Sequence, residues 1–271
     1  CAARRLPQTG GWRQQKAGRT VETNTVKQKL REGKVSVGTW ISLCSPMSAE
    51  YCAHQGFDWI VIDTEHSPVD LGTTVHCFQA MGSGSAIPMA RVAWNDPMLL
   101  KRLLDGGALG IVVPMVNSAE EAQRAVAAMK YPPEGIRSKA GARASIIYGA
   151  DYTDRANEEI LVVVQIEHIN AVNAADSILS VNGVDACFIG PNDLASSMGV
   201  EVGAPAHEEA IQRTLEAAKS VGVAAGIHCT DADNVNLRAA QGFLYLALAS
   251  DARMMVAKIR EELDRLRLPE E

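Results

Sequence analysis

The chain has 271 residues, 47% of them hydrophobic and 21% charged, which is enough apolar material for one large core, although the length alone would also admit two small domains. A net charge of −6 argues against a nucleic-acid partner, which needs a basic face, and no apolar run approaches the ~20 residues of a membrane helix. A globular protein acting on small molecules, with neither nucleic acid nor membrane as partner, is the expectation that remains.

Residues 1–24 stand apart. They carry Arg4, Arg5, Arg13, Lys16 and Arg19 and no acid before Glu22, yet lack the apolar stretch of a secretory signal. We read them as a disordered tail before a single domain over 25–271, with an organellar transit segment as the alternative to a cytoplasmic protein. The six cysteines include no CxxC pair and lie mostly in apolar segments, as free thiols of a reducing compartment do.

From there, short runs rich in Val and Ile alternate with stretches of helical period, the pattern of parallel strands covered by helices. Strands are predicted at 37–43, 59–63, 87–91, 110–114, 161–166, 186–190, 223–227 and 243–247. Helix starts are read at Ser48, at Asp96 before Pro97, at Ser118 with Glu121 as a capping box, and at Asp231. Gly56, Gly106, Gly222 and Gly242 are read as helix stops. Residues 131–159, punctuated by Pro132, Pro133, Gly135 and Gly141, exceed a simple connection and are read as a loop insertion near a functional face. Eight strand and helix units, with no GxGxxG turn after any strand, predict one α/β domain: a closed (β/α)8 barrel.

Active sites of such barrels lie at the C-terminal ends of the strands. The polar residues there are Asp63, Glu65 and His66 after the second strand, Arg91 ending the third, Gln165 and Glu167 at the fifth, and Gly190, Pro191, Asn192 and Asp193 after the sixth. Glu167 and Asp193 offer hard oxygens suited to Mg2+ or Mn2+; equally, Glu167 could pair with a neighbouring cation and Asp193 cap the following helix. Arg91 could hold an enolate or carboxylate oxygen, or form a structural ion pair. His66 could act as a general base or be simply solvated. His168 is ambiguous, and His54, His76, His207 and His228 are read as surface or helix residues. A Schiff-base scheme lacks its lysine, because Lys101, Lys130, Lys219 and Lys258 fall on predicted helices, Lys34 precedes the first strand and Lys139 lies in the insertion. Phosphate-loop, GxSxG and HExxH motifs are absent.

At these residues the chain closely resembles the HpcH/HpaI aldolases, the metal-dependent pyruvate aldolases. The resemblance runs over about 26–266 and is carried by FDWIVIDTEH ending at His66, ARVAWNDP from Ala90, VVPMV from Val112, YPPEGIR from Tyr131, VQIE ending at Glu167 and FIGPNDL from Phe188. It implies a divalent ion (Mg2+, Mn2+ or Co2+) on Glu167 and Asp193, and a pyruvyl group seated by Gln165 and the backbone of Gly190, Pro191, Asn192 and Asp193. It further implies His66 as base, Arg91 beside the 2-oxo oxygen, and Asp63 orienting the His66 ring. Asp105 would reach a neighbouring subunit's histidine in a hexamer or trimer. The implied reaction is reversible cleavage of a 4-hydroxy-2-oxo acid to pyruvate and an aldehyde through an enolate held by the metal. A malyl- or citramalyl-CoA lyase, an oxaloacetate decarboxylase and a barrel that only binds organic acids are the alternatives. The chain departs from the family pattern at Ser67, Asn192 and a shortened stretch over 138–150, all of which bear on the aldehyde.

Overall fold

The computed structural model describes residues 23–139 and 141–268. Its strands are β1 (Ser36–Ile41), β2 (Trp59–Asp63), β3 (Ile87–Arg91), β4 (Gly110–Val113), β5 (Leu161–Ile166), β6 (Ala186–Ile189), β7 (Ala224–Cys229) and β8 (Tyr245–Ser250). Each pairs in parallel with the next, and β8 returns to β1, so the sheet closes as the expected barrel. Nearly every strand residue is buried, because helices cover the outside and side chains fill the inside. This is why the strands read as continuous apolar runs.

Aromatic rings fill the interior from floor to mouth. Trp59 and Tyr245, the first residues of β2 and β8, stack at 4.3 Å between ring centres, and Phe188 meets Tyr245 edge-on at 5.8 Å. Trp40 packs on Phe188 at 5.5 Å and faces His228 at 6.4 Å, nearer the C-terminal ends of the strands. Glycine makes the room on the neighbouring strands: a methyl group on Gly38 would stand 2.0 Å from the Trp59 ring, and one on Gly226 2.8 Å from the Tyr245 ring.

Several local expectations shift. The helix after β1 starts at Pro46 with Ser45 as its cap; Ser48 is already inside it, and its hydroxyl donates to Asp251 at 2.7 Å. Asp96, Ser118 and Asp231 do cap helices, as read. The Glu121 carboxylate, however, accepts from Asn117 N rather than from the cap residue itself. Gly222 and Gly242 end helices in the left-handed region, whereas Gly106 stays right-handed and leaves that conformation to Gly107, and Gly56 lies two residues past the cap His54.

The stretch 131–159 is no simple loop and does not border the mouth. It contains the helices Ala142–Tyr148 and Tyr152–Glu159 and connects the helix Ala119–Met129 to the start of β5, which places it at the N-terminal rim. There Arg137 pairs with Asp105 at 2.7 Å and the Tyr148 hydroxyl donates to Gly107 O at 2.5 Å. The domain also begins earlier than read. Asn24 caps the helix Thr25–Arg31 and donates to Leu109 O and Glu159 O, both at 2.9 Å, so it belongs to the barrel floor. The remainder of the expected tail, through residue 22, lies outside the described residues. Among the described residues no helix is long and apolar enough to cross a membrane, and the five described cysteines are free.

Candidate active site

The C-terminal ends of the strands open into a cleft of about 430 Å³ that brings together Asp63, His66, Arg91, Gln165 and residues 190–193. Glu167, 4% exposed, lies behind Gln165 and Gly190. Its Oε1 accepts from Met115 N at 2.8 Å, and its Oε2 accepts from the Gln165 amide. Met115 reaches this position only by adopting φ 53°, and Cys44 and Ala249, at 53° and 47°, share its left-handed backbone. All three stand at the mouth side of strands, Ala249 within β8 and Cys44 and Met115 just past the ends of β1 and β4, where backbone strain of roughly 1–3 kcal/mol per residue is tolerated for the sake of a site.

The alternatives left open for Glu167 and Asp193 now separate. Glu167 makes no ion pair among the described residues, and burial, with the charges of Glu65 and Asp193, pushes its carboxyl up to about 7. Asp193 lies exposed in the first turn of the helix Pro191–Met198 and does not cap it, since Gly190 is the cap residue. The start of that helix therefore points backbone donors at the cleft. It is buttressed by His207, a helix residue as read but buried: its Nδ1 accepts from Gly203 N, so its Nε2 donates to Pro191 O at 2.9 Å.

Arg91 is gripped. Its Nε and Nη2 donate to the two oxygens of Asp63 at 2.9 and 2.6 Å, its Nη1 lies 3.2 Å from Glu65 Oε2, and its guanidinium sits 4.7 Å from the Trp40 ring centre. Burial disfavours its charge, but Asp63, Glu65 and Glu167 more than compensate and hold its pKa above the ordinary arginine value. Asp63 thus orients Arg91 and not the His66 ring; toward His66 it accepts only from the backbone N–H, at 3.3 Å. The His66 side chain is 63% exposed at the rim, its Nε2 3.8 Å from Glu65 Oε2.

Asp105 does not join this group. It ends the helix Pro97–Asp105 at the N-terminal rim, where Arg137 holds it. His168 is resolved as a helix cap, its Nδ1 accepting from Asn170 N. Among the described residues no lysine lines the cleft. Sequence reasoning missed His228 of β7 and Arg253 beyond β8, which also line it. The signal for His228 was its place inside a strand of small and apolar residues.

Does the cleft suit a divalent cation? Its donors are hard oxygens and the imidazoles of His66 and His228, with no thiolate among the described residues that line it. Gln165 Oε1 is buried with no hydrogen-bond partner among the described residues, burial and the charge of Asp193 raise the proton affinity of both Glu65 and Glu167, and Glu65 adds to the effect on Glu167. A positive charge here would relieve all of these, so the donor set fits one. Among the described residues no three His, Cys, Asp or Glu side chains come together as a metal cluster.

Comparison with known proteins agrees with the geometry. A family model described as HpcH/HpaI aldolase/citrate lyase matches residues 36–257. The chain is 41% identical to a 4-hydroxy-2-oxo-heptane-1,7-dioate aldolase of Klebsiella pneumoniae, over 86% of this chain and 89% of that one. It is 38% identical to a 2-dehydro-3,6-dideoxy-6-sulfogluconate aldolase of Pseudomonas putida, over 86% and 93%. Among solved structures, an HpcH/HpaI aldolase/citrate lyase family protein from Burkholderia cenocepacia superposes with a TM-score of 0.87 at 34% identity, covering 91% of this chain and all of that one.

Proposed function

The chain belongs to the HpcH/HpaI aldolase/citrate lyase family and is an aldolase, a carbon–carbon lyase, and from that premise we propose that it reversibly cleaves a 4-hydroxy-2-oxo acid into pyruvate and an aldehyde, with a divalent cation on Glu167 and Asp193. The observation that carries this reading is the buried Glu167 carboxylate, without an ion pair among the described residues, set behind a cleft that the charged Arg91 fork lines. When bound, the cation supplies Lewis acidity toward the 2-oxo acid.

The chain's own groups do the rest. In cleavage the C3–C4 bond breaks, its electron pair passes to C2 and its oxygen, and the 4-hydroxyl proton leaves as the aldehyde forms; the enolate carbon then takes up a proton to give pyruvate. Arg91, fixed by Asp63 in one orientation, stabilises the oxygen on which negative charge grows. The N-terminus of the helix Pro191–Met198 and the Gln165 amide seat the substrate carboxylate. His66, at the rim, receives the hydroxyl proton directly or through a water. Asp105 and His66 occupy opposite ends of one barrel, so a pairing between them belongs to two copies of the chain.

The test is pyruvate release from 4-hydroxy-2-oxo acids, oxaloacetate loss and acetyl-CoA release from malyl-CoA, measured in parallel. Hydroxy-oxo acid cleavage is expected to dominate, to vanish with chelator and to return with Mg2+, Mn2+ or Co2+. A lysine adduct trapped by borohydride, or turnover of oxaloacetate or the thioester alone, would overturn the reading.

Gly190 gives a local test. A methyl group there would stand 2.8 Å from Glu167 Oε2 and 3.0 Å from Gln165 Nε2, while its φ of −92° is open to any residue. The constraint is therefore purely steric, and Gly190→Ala is expected to displace both side chains and lower Mn2+ affinity and kcat/KM by roughly 10–100-fold, the usual cost of disturbing groups that orient metal ligands. Wild-type Mn2+ binding in that variant would separate Gly190 from the site.

A further inference from the structure

The barrel closes with a slip. Along the seam of β1 and β8, Gly38 lies opposite Ala247 but Trp40 lies opposite Ser250, so two steps along β1 answer to three along β8. The extra residue is taken up where Ala249 adopts its left-handed φ of 47° and the Thr39 hydroxyl donates to Leu248 O at 2.8 Å. A bulge of this kind bends the strand and re-aims the residues beyond it. Beyond it stands Asp251, the first residue of the helix Asp251–Asp264.

Asp251 is 6% exposed, and a carboxylate so buried ordinarily faces a cation. It makes no ion pair among the described residues. Five donors satisfy it instead: Oδ1 accepts from Ser42 N at 2.9 Å, Ser42 Oγ at 3.1 Å and Ala252 N at 2.8 Å, and Oδ2 accepts from Leu43 N at 3.3 Å and Ser48 Oγ at 2.7 Å. Apart from Ala252, these donors come from the two residues after β1 or from the helix Pro46–Ala53 that follows. The end of β8 therefore grips the chain just past β1, at the mouth, where Ser42 and Ser250 both line the cleft.

Trp40 stands two residues before that grip, with the Arg91 guanidinium over its ring. Asp63 fixes the guanidinium within its own plane through two hydrogen bonds, but the fork can still rock about the axis that joins the two groups. A ring against one face limits that rocking. Where β1 ends thus decides how Arg91 meets a substrate oxygen.

We propose that Asp251 is a positioning residue for the carbon–carbon cleavage: it clips the end of β1 to β8, seats Trp40, and through Trp40 sets the tilt of Arg91. The inference rests on the aldolase reading above. The role requires a charge, because an ionised carboxylate accepts on both oxygens at once. An asparagine would turn its NH2 group toward donors on one side, whichever way the amide faced.

The test compares Asp251→Asn with the wild type in three measurements: cleavage of a 4-hydroxy-2-oxo acid, Mn2+ affinity, and the near-ultraviolet circular dichroism of Trp40, identified as the band that Trp40→Phe removes. The variant is expected to lose roughly 10²-fold in kcat, the cost of misplacing a reacting group by about 1 Å. KM and Mn2+ affinity should change little, since Glu167 and Asp193 follow β5 and β6 and Arg91 acts on charge that grows in the transition state. The Trp40 band should weaken. Should Asp251→Asn fail to fold, Ser48→Ala removes the shortest of the five bonds and leaves the other four, and it is expected to lower kcat several-fold with the same change in the Trp40 band. A folded variant with wild-type kcat, a loss of kcat with the Trp40 band intact, or an equal loss of Mn2+ affinity would overturn the proposal. Absence of cleavage in the wild type would overturn the aldolase reading, and the Trp40 band would then decide alone whether Asp251 seats that ring.

Discussion

Glu167→Gln is expected to lower turnover by about 10³-fold and to weaken Mn2+ binding measurably, because a neutral amide removes the buried charge while keeping the shape; the figure corresponds to the several kcal/mol that a metal's Lewis acidity supplies to a transition state. The same exchange should stabilise the chelator-treated protein. The folded-state pKa of Glu167, raised to about 7 by burial and by Glu65 and Asp193, means that wild-type stability falls as pH rises from the ordinary glutamate range toward 7, where the unfolded chain ionises and the folded one resists. Above that window the penalty is fully present, at most about 3 kcal/mol by linkage, and the glutamine variant escapes it. Urea denaturation should therefore show Glu167→Gln as the more stable protein at pH 8, with its advantage shrinking toward pH 5. Calorimetry with Mn2+ and steady-state kinetics complete the measurement. Unchanged Mn2+ affinity would remove Glu167 from the cation site, and an unchanged stability difference across the pH range would show that its carboxyl is not perturbed.

Arg91→Lys is expected to cut turnover by about 10²–10³-fold, the cost of losing one fixed donor to a developing oxyanion. An ammonium keeps the charge but cannot hold both Asp63 oxygens and still face the substrate, so orientation is lost along with a donor. Stability should fall too. Burial pushes the Asp63 carboxyl up, but its hydrogen bonds from Arg91 and the arginine charge more than offset this and hold it below the ordinary aspartate value. That contribution is present above the ordinary aspartate pKa and is lost as pH falls through the lowered one. With the fork gone, acid unfolding followed by circular dichroism should begin at higher pH than in the wild type. Near wild-type turnover in a folded Arg91→Lys protein would make Arg91 a structural cation only.

Much of this was legible without a fold. β2, β3 and β5 have the bounds read from the chain because each is a buried or nearly buried run closed by a polar or turn residue. β7 and β8 begin one and two residues later than read, since Val223 and Phe243 are apolar for reasons of packing and not of pairing. Ser45 was passed over as a helix start although Pro46 follows it, the same signal that located the helix after Asp96. Arg91, Gln165, Glu167 and Asp193 could be found because a polar residue that ends an apolar strand has few structural reasons to be there, and barrel topology sends every such residue to one face.

The sequence by itself determined the strand count, the closed barrel and the face on which the chemistry sits, since these follow from local periodicity and the rule that all strands run the same way. Tertiary structure alone decided who meets whom. That Asp63 serves Arg91, that a left-handed Met115 aims its N–H at Glu167, that Asp105 and residues 131–159 lie at the far rim, and that Asp251 clips the end of β1 all depend on contacts between residues distant in sequence. Such contacts are fixed only when register and closure set the strands side by side, and no local pattern of residue types encodes them.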